Sequence, residues 1–319
     1  MNNMIKKPEF YLFIIIIALV IFFAFSTDNF FTLENFVDLL ISYAFLGIMA
    51  AGMLVVLISG GIDLSFTAIA TIAQYVMAIV IINYSGNLVS AFLVAGIIGI
   101  FLGSINAFLI YYLNAPAMII TIATLNLFYG VTIFITRGKW IYNFPDWFNQ
   151  SHNVFGFTAG DTYYGISLPI ILLILVFILT HIILRYTILG RKIFAMGGNI
   201  EAARRAGFNL LSLNIFVYSY IGFLSGIGSV GQVLTLHSVQ PNAIVGRELE
   251  VIAATVLGGA SLAGGAGSVL GTAMGVALLA IVWNGLIIMG VSSYWHKVII
   301  GLIIICSVSI NAYNRKRNA

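Results

Sequence analysis

Leu189-Gly-Arg-Lys-Ile-Phe-Ala-Met-Gly-Gly-Asn-Ile-Glu-Ala-Ala-Arg-Arg-Ala-Gly-Phe208 lies between two long apolar segments, near 164–184 and 211–234, and is the most strongly charged interior interval of the chain. Arg191, Lys192, Glu201, Arg204 and Arg205 fall within it, so it reads as a polar connection between membrane spans. Gly197-Gly198 is expected to break the chain, Asn199 to cap a helix, and Ile200–Ala206 to form a short helix that Gly207 ends. On that helix Ala202, Ala203 and Ala206 offer a low-profile surface from which Arg204 and Arg205 project. Such a helix can lie in a groove of another protein. The alternative is a loop whose positive charge serves only to orient the chain in a membrane.

Composition sets the surroundings. Of the 319 residues 61% are hydrophobic and 8% charged, against roughly a quarter charged in soluble domains. A polytopic membrane protein fits this and a soluble enzyme does not. The net charge of +4 comes from basic residues placed between apolar spans, which argues for topology and against nucleic acid. The one cysteine, Cys306, excludes an internal disulfide and a cysteine metal cluster, and the four histidines (His152, His181, His237 and His296) are too scattered to suggest ligand spacing. A phosphate-binding P-loop pattern is also missing, so ATP is not expected to bind this chain by that route.

Lys6 and Lys7 precede the apolar run Phe10–Phe25, and Ser26-Thr-Asp-Asn-Phe-Phe31 after it offers no small-residue cleavage site, so an uncleaved first helix is expected. Further spans of near ~20 residues fall at about 36–59, 62–82, 88–112, 116–136, 164–184 and 211–234. A short eighth segment at 249–262 reads as a partial or broken helix, and 267–289 and 293–311 complete ten. With ten spans and a cytoplasmic N terminus, the inside carries Lys6, Lys7, Arg185, Arg191, Lys192, Arg204, Arg205, Arg315, Lys316 and Arg317. The outside carries Arg137, Lys139, Arg247 and Lys297, so ten of the 14 basic residues lie inside, as the positive-inside rule requires. The expected fold is all-α: a single transmembrane domain over 1–319, both termini cytoplasmic, with an inner loop at about 185–210 and an outer loop at about 137–163. Trp140, Tyr142, Phe144, Trp147 and Phe148 near the start of the outer loop suit an interfacial belt or a surface for an external partner.

Glycines carry the remaining pattern. Gly99-xxx-Gly103, Gly222-xxx-Gly226 and Gly267-xxx-Gly271-xxx-Gly275 place small residues on one helix face, where backbones can approach closely. Two double-glycine stretches differ in kind: Gly60-Gly61 before Asp63, and Gly258-Gly259 followed by Gly264-Gly265. Each is expected to form a structural turn inside an apolar region, which is tolerated only against protein or a water-filled cavity.

Four of these stretches resemble the ribose/xylose-type sugar permeases of ABC importers. They are Gly60-Gly-Ile-Asp-Leu-Ser65, Gly198-Asn-Ile-Glu-Ala-Ala-Arg-Arg-Ala-Gly207, the run from Glu248 through Gly258-Gly-Ala-Ser-Leu-Ala-Gly-Gly265 to Thr272, and Asn284-Gly-Leu286. The resemblance covers nearly the whole chain in order, except the outer loop. It implies a multi-pass protein of the bacterial inner membrane, working as a dimer with a second permease subunit. Two cytoplasmic ATPase subunits would use ATP and Mg, while this chain binds no cofactor. An external solute-binding protein would deliver the sugar. Gly198, Asn199, Glu201, Ala202, Ala203, Arg204, Arg205, Ala206 and Gly207 would form the coupling helix that docks on the ATPase.

No catalytic set is evident, and a permease needs none. Gln74, Asn106, Asn126, Gln232 and Asn284 are neutral amides within the spans, suited to joining helices or to lining a path for a polar uncharged solute. Asn126 is the first choice for the path, since Thr121, Thr124 and Tyr129 lie on the same helix. Asp63 is read as a cap of the third helix rather than a proton carrier. An ion-driven secondary transporter would carry ionisable groups deep in the bundle, and a membrane enzyme a clustered acid, base or metal set; neither is visible. Within the permease reading a pentose or hexose is favoured, with a furanosyl autoinducer, a nucleoside or a sugar alcohol as alternatives.

Overall fold

The computed structural model describes residues 8–84, 86–150, 152–159 and 162–292, together with 294, 295, 298, 299, 301, 302 and 305. The helices are α1 (Pro8–Ser26), α2 (Leu33–Ile58), α3 (Phe66–Asn83), α4 (Leu88–Leu113), α5 (Ala117–Thr136), α6 (Asp146–Asn149), α7 (Leu168–Tyr186), α8 (Ile188–Gly198), α9 (Ile200–Arg205), α10 (Leu210–Leu236), α11 (Glu248–Leu257) and α12 (Val269–Ile288). Two strands, β1 (Asn153–Ala159) and β2 (Thr162–Ser167), stand before α7. Among the described residues eight helices are long and apolar enough to cross a bilayer: α1, α2, α3, α4, α5, α7, α10 and α12. The expected eighth segment is α11, whose ten residues reach about 15 Å, half of a ~30 Å hydrocarbon core. Most of the expected tenth span, with Cys306 and the basic C terminus, lies outside the described residues.

The helix α2 is the axis of the bundle. Every residue from Ala44 to Ile58 is buried, as expected of a helix that is apolar on all sides. Around it, glycine faces set the helix spacing. Antiparallel α4 and α10 touch backbone to backbone: a Cβ on Gly99 would strike the Gly222 carbonyl, one on Gly103 the Tyr218 carbonyl, and one on Gly226 the Ala95 carbonyl. The two expected glycine faces are thus each other's partners. In the same way Gly271 meets the Gly258 carbonyl and Gly275 the Ala254 carbonyl, closing α11 onto α12.

The expectation of an all-α chain needs one correction. Within the loop expected on the outside β1 and β2 pair as an antiparallel hairpin, with Gly156 opposite Gly165 and Asn153 opposite Ser167. A second bridge, Ile141 N–H to the Val239 carbonyl at 3.0 Å and Val239 N–H back at 2.7 Å, ties this loop to the segment after α10. The aromatic set divides. Phe148 is fully buried and stacks on Phe144 with ring centres 4.6 Å apart, while Trp140 and Tyr142 are exposed.

Candidate functional site: the inner loop, the membrane turns and the polar helix faces

The loop expected on the inside is two capped helices. Thr187 accepts from Gly190 N–H at 3.0 Å and starts α8, which turns Ile193 and Met196 into the core and leaves Arg191 exposed. Gly197-Gly198 does not break the chain as expected; it forms the last turn of α8, and the break falls at Asn199. There Asn199 Oδ1 accepts from Ala202 N–H at 2.9 Å and caps α9. Gly207, with φ of +78°, ends α9, and the Phe208 and Gly207 amides return to the Ala203 and Arg204 carbonyls as in a Schellman cap. A six-residue helix cannot stand by itself in water; its two caps and Ala203, 3% exposed, fasten it to the bundle.

That burial corrects the reading of the alanine face. Ala203 packs on the chain's own core, whereas Ala202, Ala206, Arg204 and Arg205 are exposed. Glu201 and Arg204 form an exposed ion pair at 2.9 Å, worth about 0–1 kcal/mol. Lys192 Nζ lies 5.7 Å from the centre of the Phe208 ring.

The glycine turns reverse the chain where α2 and α11 end. Gly60, Gly259, Gly264 and Gly265 all have left-handed φ, between +71° and +89°, which only glycine adopts readily. A Cβ on Gly61 would strike the Tyr218 hydroxyl, and one on Gly258 would come within 2.5 Å of Thr272 Cα. After the first turn Asp63 is fully buried, and its Oδ1 accepts from Ser65 N–H and Ser65 Oγ–H at 2.7 Å each, holding the entry to α3. Asn106 Nδ2 donates to Ser65 Oγ at 2.6 Å, and Thr121 Oγ1 donates to the Ile62 carbonyl at 3.1 Å, so α4 and α5 both grip this turn.

The five candidate path residues go to different places. Asn106 is buried in the network just described, and Gln74, 2% exposed, donates to the Gln240 carbonyl at 3.4 Å. Asn284 exchanges hydrogen bonds with Asn35 of α2. Tyr129 packs partly buried beside Phe128 and Leu102. Asn126 alone of the five lies on an exposed face, with its Nδ2 satisfied by the Ile122 carbonyl at 2.8 Å. Thr121 and Thr124, grouped with it in the sequence, point to the buried side of α5.

Ionisable groups inside the bundle were missed by the sequence reading. Glu248 is 8% exposed; it accepts from the Thr67 hydroxyl and from Gly246 N–H. Next to it Arg247 pairs with Glu250 at 3.1 Å, in electrostatic reach of Tyr43 on α2. The signal was the run Arg247-Glu-Leu-Glu250 at the head of an apolar helix. Of these residues only Arg247 carries an expectation, as an outside charge, and it is Glu248, the first residue of α11, that turns into the protein. Arg247 also borders a cavity of about 160 Å³ with Ser42, Gln232 and Thr235, where Gln232 Oε1 is buried without a partner. A larger groove of about 920 Å³ between α1, α2, α7 and α12 is almost wholly apolar and suits acyl chains, not a sugar.

Long apolar helices around a buried axis, with an exposed capped helix between two of them, are the architecture of a polytopic membrane protein. The chain belongs to the family described as branched-chain amino acid transport system / permease component, which matches residues 35–308. It is similar to the ribose import permease protein of Escherichia coli (strain K12), 34% identical over 291 residues that cover 91% of this chain and 89% of that one. The ribose import permease protein of Bacillus subtilis (strain 168) is 36% identical over 309 residues, covering 96% and 92%. The xylose transport system permease protein of Escherichia coli (strain K12) is 28% identical, covering 95% and 91%. No solved structure matches the chain.

Proposed function

We propose that this chain is the membrane permease of an ATP-driven ABC importer for a simple sugar, a pentose or hexose, in the bacterial inner membrane. The observation that carries the reading is likeness to ribose import permeases over about nine-tenths of both chains, joined to an exposed, doubly capped α9. In this reading Ala202, Ala206 and Arg205 of α9 meet a cytoplasmic ATPase, which binds ATP and Mg, and the chain keeps ten spans with both termini inside. A solute-binding protein rests on the outer face.

Asn126 lines the path. It shares the exposed face of α5 with Ile119, Ile122, Gly130 and Phe134, and an amide is costly against lipid tails. A second permease subunit opposite this face would enclose a polar passage between two copies of Asn126. Asn284 joins α12 to α2, Asn106 ties α4 to the turn before α3, and Gln74 ties α3 to the segment after α10. Glu248 belongs to the structure and not to an ion relay, since Thr67 and Gly246 already hold it. Transport then consists of shifting the inward- and outward-open populations through the ATPase contact. Reconstitution with the ATPase and binding protein tests this. Ribose uptake should require ATP, and uptake without ATP under an ion gradient would refute the assignment.

A further inference from the structure

Three glycine segments far apart in sequence meet at the end of α8, just before the cap of α9. Ile58 ends α2, and its carbonyl accepts from Gly265 N–H at 2.9 Å. A Cβ on Gly197 would fall on that same carbonyl and within 2.8 Å of Gly265 N. One on Gly264 would lie 2.5 Å from the Gly197 carbonyl and 2.8 Å from Gly60 Cα, and one on Gly265 would lie 2.9 Å from Gly198 Cα. The end of α2, the end of α8 and the turn between α11 and α12 therefore touch through bare backbone.

Side chains between packed elements absorb small displacements by changing rotamer, and backbone in van der Waals contact cannot. Gly197 is two residues from Asn199, the cap of α9, so a shift of α9 is applied at once to this junction. On the far side the chain runs from Gly60 to Ile62, whose carbonyl is bonded by Thr121 of α5, the helix that carries Asn126. We infer that the junction of Gly197 with Ile58, Gly60 and Gly264-Gly265 is the route by which motion of the coupling helix reaches the path helix. Thr121 is the last positioning residue in that route. The inference rests on the reading of α9 as the ATPase contact.

A string of contacts is not coupling until coupling is measured. The permease, its ATPase and its binding protein are reconstituted in proteoliposomes, with ribose as the probe. ATP hydrolysis, ribose uptake and thermal midpoint are recorded for Gly197→Ala, for Thr121→Val and for Gly231→Ala. Gly231 is a helical glycine of α10 with ordinary space around it, its nearest neighbour 3.8 Å from an added Cβ. Gly231→Ala should behave as the parent. Gly197→Ala and Thr121→Val should co-purify with the ATPase and hydrolyse ATP, while ribose moved per ATP falls about tenfold, within the usual range of coupling energies.

If uptake and hydrolysis fall in proportion, the junction is only structural and the inference fails. Should Gly197→Ala not assemble, Thr121→Val decides alone, because it keeps the side-chain shape: a parental uptake-to-hydrolysis ratio overturns the inference. Ala206→Asp run alongside tests the α9 reading separately. Normal ATPase association and uptake in that variant would remove the contact itself and leave the junction without an input.

Discussion

Asn35 and Asn284 exchange amide hydrogen bonds: Asn284 Nδ2 donates to Asn35 Oδ1 at 2.8 Å, and Asn35 Nδ2 donates to Asn284 Oδ1 at 3.0 Å. The pair joins α12 to α2, the axis of the bundle. Asn284→Leu leaves Asn35 half-satisfied and should cost about 1 kcal/mol, read as a lower thermal midpoint. Adding Asn35→Leu should recover part of the loss. Two single effects that simply add would show that the amides do not act as a pair.

Asn126 should behave in the opposite way. Its side chain bonds only to its own helix, so Asn126→Leu removes no link between helices. The expected result is an unchanged thermal midpoint and reduced ribose uptake. Asn106→Leu, which strips the Ser65 contact beneath Asp63, should lower the midpoint. Reversal of these two outcomes would move the path away from α5.

The two alanines of α9 separate coupling from folding. Ala206 is exposed, and Ala206→Asp should insert normally, lose ATPase co-purification and abolish uptake. Ala203 is buried against the core, and Ala203→Asp should reduce the amount of inserted protein, because an unpaired carboxylate there has no partner. Equal yields for the two variants would contradict the inward turn of Ala203.

Topology is open to labelling. In a Cys306→Ala background, a cysteine at Thr158 in the outer hairpin should react with an impermeant thiol reagent on whole cells. One at Ala206 should react only after the membrane is opened. Labelling of position 206 from outside would invert the bundle and part α9 from any ATPase.

Apolar runs and glycine spacing made the helices legible in the sequence, because a bilayer demands length and close packing demands small residues. The faces of α4 and α10 were readable for that reason. What joined the faces was not. That Gly60, Gly197 and Gly265 share one contact depends on segments far apart in the chain, which no local pattern encodes. The hairpin at 153–167 has no steady alternation and took its strands from pairing with itself. Ala203 turned inward because six residues are too few for a periodicity to show which side is buried. Glu248 drew no expectation of its own, because nothing in Arg247-Glu-Leu-Glu250 tells that this residue turns inward while Leu249 beside it is exposed.

The most direct test of the account is ribose uptake into proteoliposomes holding the permease and its ATPase, with the binding protein outside and the ATP inside. The account predicts uptake that needs both hydrolysable ATP and the binding protein, and that persists when ionophores collapse every ion gradient. Uptake that survives without ATP and stops with the ionophores would contradict it.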